Sequence, residues 1–179
     1  MENLLGSLLV ANGSLMDPNF RRTVVVITEH SEEGTMGLVL NRPAEVTVEE
    51  AVPALVPVVP GDSQVFVGGP VQPEAAIVLA DFGSFTPETR IVVGSIGLLG
   101  TLDEEPMPEI RRARVFAGYA GWGPGQLEAE MQEESWIVED ALADDVFTEE
   151  PQRLWSSILQ RKGGSYKMLA LMPADPSMN

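Results

Sequence analysis

His30 is the only histidine in the chain, and Glu29, Glu32 and Glu33 stand within three positions of it. An imidazole beside carboxylates supports two kinds of chemistry, a general base oriented by an acid or an oxygen-rich metal site. Strand alternation counts against both. It sends Glu29 and His30 to opposite faces, and a glutamate-rich hairpin turn is more simply a solvated one. The absence of cysteine removes thiolate nucleophiles, disulfides and Cys-type zinc sites together. Gly94-Ser95-Ile96-Gly97 lacks the spacing of a nucleophile elbow, and Ser165 with Lys167 would need a deeply desolvated lysine. With 27 Asp and Glu residues, neighbouring acids such as Asp144-Asp145 arise by coincidence, and no calcium-loop pattern is present. No metal and no cofactor are therefore expected.

The passage Gly118-Tyr119-Ala120-Gly121-Trp122-Gly123-Pro124-Gly125-Gln126-Leu127 is dense in glycine and reads as a strand running into a helix. Such a junction offers free amides and a positive helix end to an anion, which makes phosphate a first candidate. Its spacing matches neither dinucleotide-binding fingerprint nor P-loop, Pro124 has no amide proton, and Glu128 and Glu130 would repel an anion. Two readings remain: glycines that let aromatics pack closely on backbone, or Tyr119, Trp122 and Gln126 lining a pocket. Gly68-Gly69-Pro70 and Asn41-Arg42-Pro43 close two strands with residues suited to unusual dihedrals or to a carboxylate partner, so His30, Asn41, Arg42, Gly68, Gly69, Pro70, Tyr119, Trp122 and Gln126 are the candidate ligand-binding residues.

These residues need elements to position them. Leu4 to Val10 reads as a strand, and Thr23-Val24-Val25-Val26-Ile27-Thr28 and Met36-Gly37-Leu38-Val39-Leu40 form a hairpin across Ser31-Glu32-Glu33-Gly34. Their nearly continuous apolar runs require cover on both faces, by helices or by the far wall of a barrel. Thr47-Val48-Glu49-Glu50 has capping-box spacing and predicts a short helix. Strands follow at Gln64 to Val67, Ala75 to Leu79, Arg90 to Val93 and Arg112 to Tyr119, with a helical or irregular stretch at Ile96 to Leu102 and an acidic turn at Asp103-Glu104-Glu105-Pro106. Helices are predicted over Pro124 to Glu134 and over Glu149 to Lys162, where Leu154, Trp155, Ile158 and Leu159 share a face. Trp136-Ile137-Val138 is a short strand, and Tyr166 to Leu171 is a last strand or a docked tail.

At 179 residues, 44% hydrophobic and 21% charged, the chain is sized for one domain, residues 1–179, with a substantial core. Eleven Lys and Arg against 27 acids give a formal charge of -16, which opposes direct nucleic-acid binding; Arg111, Arg112 and Arg114 make the only dense basic patch. No stretch is long and apolar enough to span a bilayer, and no signal peptide is recognisable, so a cytoplasmic location is expected.

Gly6-Ser7-Leu8-Leu9-Val10-Ala11, Asp17 and Phe20, Glu29-His30, Gly34-Thr35-Met36-Gly37-Leu38-Val39-Leu40-Asn41-Arg42-Pro43, Gly68-Gly69-Pro70-Val71, the Gly118 to Glu128 run, Trp136 and Phe147 together resemble the YqgE/AlgH family of small bacterial proteins. The resemblance spans nearly the whole chain, although Asn12-Gly13 stands where the family often has Met-Pro. It implies a single α+β domain with a mixed, largely antiparallel, partly barrel-like sheet and flanking helices, and no established enzyme chemistry. Some members carry a transcription-regulator label, but no helix-turn-helix signal appears here. The expectation is a non-enzymatic binding or regulatory module whose partner is a protein or small ligand; the alternative is a hydrolase-type enzyme using His30 as base.

Overall fold

Alternation along β1 (Ser7–Ala11) and β2 (Val24–Ser31) decides the layering. Leu8, Val10, Val24 and Val26 face one side, Leu9, Ala11, Val25 and Ile27 the other, and all eight are fully buried. Both faces are covered, as the continuous apolar runs require. The computed structural model describes residues 2–100 and 108–173. The acidic turn expected at Asp103 to Pro106 lies outside them.

β3 (Gly34–Val39) returns antiparallel to β2 through Glu32 and Glu33. The 13-residue β9 (Ile110–Trp122) joins the two halves of the sheet: it pairs antiparallel with β3 and with β6 (Val71–Phe82), and parallel with β5 (Gln64–Val67). With β7 (Arg90–Val93), β8 (Ile96–Leu98) and β10 (Trp136–Asp140), the order is β10-β1-β2-β3-β9-β6-β8-β7. β4 (Pro43–Thr47) adds to β5. This ten-stranded, largely antiparallel sheet curls until β7 returns beside β2: a Cβ on Gly6 would lie 2.5 Å from the Val92 carbonyl oxygen. Among the described residues no ladder joins β7 to β2, so the curl is not closed into a barrel.

α4 (Pro151–Lys162) turns Leu154, Trp155, Ile158 and Leu159 into the core inside the curl, against Leu38, Leu79 and Phe116, and Trp155 Nε1 donates to the Ala11 carbonyl at 2.8 Å. On the other face, α2 (Gln126–Gln132) contributes Leu127 to a second core. There Phe20, Trp122 and Trp136 pack mutually with centroids 5.7 to 6.0 Å apart. A third core lies under α1 (Val48–Ala51), which starts on the expected capping box: Thr47 accepts from the Glu50 amide while Glu50 accepts from the Thr47 amide. α3 (Ala143–Val146) and α5 (Tyr166–Leu169) are short connectors, α5 packing Tyr166 and Leu169 against the core inside the curl.

Two expectations need correction. Ile96 to Leu98 is a strand rather than helical, because its amides and carbonyls complete the edges of β6 and β7. The passage from Tyr119 to Trp122 continues β9 rather than leaving it, since its backbone pairs with Thr35 to Gly37. Of the two readings for Tyr166 to Leu171, the strand does not form: Tyr166–Leu169 is a helical turn, docked on the core through Tyr166 and Leu169.

β10 is an edge strand. Val10 faces Ile137 and the Asn12 amide donates to the Ser135 carbonyl, so Val138 and Asp140 point their backbone groups away from β1. Lys162 Nζ donates to the Val138 carbonyl at 3.0 Å, an Arg161 NH2 group donates to the Asp140 carbonyl at 3.1 Å, and the Glu139 carboxylate accepts from the Asp140 amide at 2.8 Å. Charged side chains thus occupy an edge that would otherwise recruit another strand.

Candidate functional site

His30 follows a register shift in β2 between Ile27 and Glu29 and turns inward, its side chain 2% exposed. Nδ1 accepts from the Leu4 amide at 2.9 Å, and Nε2 lies 3.2 Å from Glu128 Oε1. An acceptor role at Nδ1 puts the proton on Nε2, which therefore donates to the carboxylate. Both nitrogens are engaged in tying the amino-terminal segment to α2. Neither Asp17 nor Glu29 orients the ring. Among the described residues no three His, Asp or Glu side chains converge as a metal site would need. The Glu128 carboxyl is held below its ordinary range by a hydrogen bond from its own amide and by His30.

The glycine-rich junction offers no anion cradle. The Gly123 amide donates to Gln126 Oε1 at 3.0 Å, the Gln126 amide donates back to the Gly123 carbonyl, and Glu128 fills the first helical turn. Asn41 is equally committed: Oδ1 accepts from the Val24 amide and Nδ2 donates to the Arg22 carbonyl, fastening the end of β3 to the start of β2. Arg42 donates to the Asn19 and Arg21 carbonyls, and burial lowers its pKa. Gly68 and Gly69 are where the chain crosses β9: a Cβ on Gly68 would collide with the Gly118 carbonyl oxygen and one on Gly69 with the backbone of Tyr119 and Ala120. Pro70 follows, exposed. His30 is held by Leu4 and Glu128, Asn41 and Arg42 by the Asn19 to Val24 segment, and Gly68 and Gly69 by the backbone of β9, so the candidates serve separate contacts.

Tyr119 and Trp122 do meet a cavity. Gly118, at φ +72°, breaks the alternation of β9, so Phe116 and Tyr119 both face inside the curl, while Ala120 and Trp122 turn to the other core. Beyond Tyr119 the inner core ends and a groove of about 440 Å³ opens at the mouth of the curl. Register places Glu29 opposite Met36, Met36 opposite Gly121 and Val71 opposite Tyr119, a line of four strands sharing this face. Glu33, Gly34, Thr35, Ser31 and the edge of Trp122 complete the lining. Glu29 and Glu33 are named in sequence only as neighbours of His30. Met36 and Val71 stand in sequence only as motif and strand residues and Gly121 only as one of the clustered glycines; cross-strand pairing is what brings them to one face.

The arginines of the basic patch are each partnered within the fold. Arg111 donates to Asp81 Oδ1 at 2.9 Å, to Ser95 Oγ and to the Phe82 carbonyl; Arg112 reaches Asp81 and Asp144 and stacks on Phe147. Arg114 donates to the Val146 and Thr148 carbonyls and stacks on Phe66. Arg90 pairs with Glu29 at 3.7 Å. Desolvation pushes the Asp81 carboxyl up, but Ser95, Arg111 and Arg112 outweigh it and hold it below its ordinary range. Among the described residues no helix is long and apolar enough to cross a membrane.

Comparison with known proteins places these features in company. The AlgH-like family matches residues 8–167. A UPF0301 protein of Streptomyces coelicolor is 41% identical over 187 residues, covering 100% of this chain and 97% of its own, and one of Chlorobaculum tepidum is 40% identical over 182 residues, covering 97% and 95%. Among solved structures, protein DIP2367 of Corynebacterium diphtheriae superposes with a TM-score of 0.85 at 28% identity, covering 96% of this chain and 94% of that one. The AlgH protein of Pseudomonas aeruginosa, solved in solution, gives 0.72 at 30%, covering 95% and 94%.

Proposed function

The chain belongs to the AlgH-like family, and within it we propose a non-enzymatic binding module whose ligand enters the groove at the mouth of the curled sheet. The groove itself carries the reading: about 440 Å³, with an apolar and aromatic floor of Met36, Val71 and Tyr119 below a polar rim. A concavity of that size at the open end of a curled sheet, with polar groups around apolar ones, suits a ligand. A hydrolase using His30 lacks its base, because the Leu4 amide occupies Nδ1 and Nε2 already donates to Glu128. Operator binding lacks its basic face, because Arg111, Arg112 and Arg114 are spent on carboxylates, carbonyls and aromatic rings.

The experiment is a thermal-shift screen of metabolites and short peptides on the wild-type chain and on Gly121→Phe, which fills the groove from an exposed strand position. A ligand present at about 100 times its Kd stabilises the fold by about 2.7 kcal/mol, a rise of a few degrees in Tm. The expected outcome is a shift in the wild type that vanishes in Gly121→Phe while that variant still unfolds cooperatively. Equal shifts in both proteins would put the site elsewhere and sink the reading.

A further inference from the structure

Resting on the groove as a binding site, we propose that what it receives is a cation, the guanidinium or ammonium group of an arginine or lysine on an exposed segment of a partner protein. Two carboxylates, Glu29 and Glu33, line the groove, and among the described residues the lining includes no Lys, Arg or His. Glu33 makes no ion pair among the described residues, and Glu29 has only Arg90, at 3.7 Å with the two side chains 57% and 65% exposed. That contact is loose, and it shows the geometry: a guanidinium reaches Glu29 across the seam between β7 and β2. An incoming cation would replace Arg90 with little loss, since exposed pairs of this kind contribute little.

The floor suits the rest of such a side chain. Tyr119, Met36 and Val71 line the groove with aromatic and apolar surface against which a methylene stem can lie. Gly121 leaves the space for it. A Cβ there would meet only Tyr119 Cε2 at 3.6 Å and Val71 Cγ2 at 3.7 Å, ordinary contacts, and its φ is not in the left-handed region. Neither crowding nor backbone conformation demands glycine at this exposed point of β9, so its consequence is an open groove. The charge of -16 draws cations to the whole molecule; the groove gives them a seat.

The test is a titration of ¹⁵N-labelled full chain, followed by amide shifts, with acetyl-Gly-Arg-Gly-amide and with the same peptide carrying citrulline, the neutral isostere of arginine. The arginine peptide should move the amides of Gly34, Thr35 and Gly121, and its affinity should fall with added salt. Glu29→Gln with Glu33→Gln should weaken it by about fivefold, the effect of two exposed pairs, and Gly121→Val should abolish the shifts while the rest of the spectrum stays folded. If the citrulline peptide binds as well as the arginine peptide at these amides, the cationic assignment falls and the groove stands. If the arginine peptide binds unchanged to Gly121→Val, both fall. If neither peptide moves these amides, the cationic assignment falls, and the thermal-shift screen alone decides the groove.

Discussion

His30 and Trp122 show how a residue chosen for its chemistry can be used for its shape and hydrogen bonds. His30→Ala removes the acceptor of the buried Leu4 amide, and it removes from Glu128, whose side chain is 36% exposed, a donor that water can replace. Leaving such an amide unpartnered costs about 1–3 kcal/mol, and a loss of that size should appear in urea unfolding at constant m. Ligand-induced shifts measured on the surviving folded fraction should not change. A histidine acting as a base would give the reverse pattern, with stability nearly intact and function gone. None of this was legible locally, because the partners of His30 lie 26 and 98 positions away along the chain. Trp122 borders the groove, but the residue is 4% exposed and its ring belongs to the packing with Phe20 and Trp136.

Among the elements, those with a strong local rule could be read in advance. The β2-β3 hairpin, α1 on its capping box and the amphipathic α4 stand where their turn chemistry, Thr47-Glu50 spacing and apolar face put them. β8 follows no such rule, because three residues with a central glycine carry no period; only the edges of β6 and β7 make them a strand. β9 runs past Tyr119, where its glycines predict an end, because pairing on both sides overrules their poor strand preference. The edge strand β10 supplies a test at this scale. Lys162→Ala removes the ammonium that covers the Val138 carbonyl and leaves the salt bridge of Arg161 with Asp145 in place. Its expected effect is concentration-dependent self-association, seen by light scattering as a rising mean mass, with the Tm little changed. A monomer at every concentration would show that Arg161 and Glu139 suffice.

For the whole molecule, acid sensitivity follows from two carboxyls. Asp81 and Glu128 both sit below their ordinary values of 3.8 and 4.5 in the folded state. A carboxyl depressed by folding adds stability that is complete above the unfolded pKa and is lost as pH falls through the lower, folded value. The urea midpoint should therefore fall once pH drops below about 4, and Asp81→Asn, which keeps the shape but not the charge, should flatten part of that fall. The arrangement of β9 reaches further, into biosynthesis. It is the strand against which β3, β5 and β6 all settle, yet it begins at Ile110, and β1 waits for β10 at Trp136. A ribosome must pass Ile110 before β3, β5 or β6 has this neighbour, and Trp136 before β1 has its own. Until then, the nascent chain displays β3, β5 and β6 with bare edges, the state in which a polypeptide most needs a chaperone and a truncated product is most readily degraded.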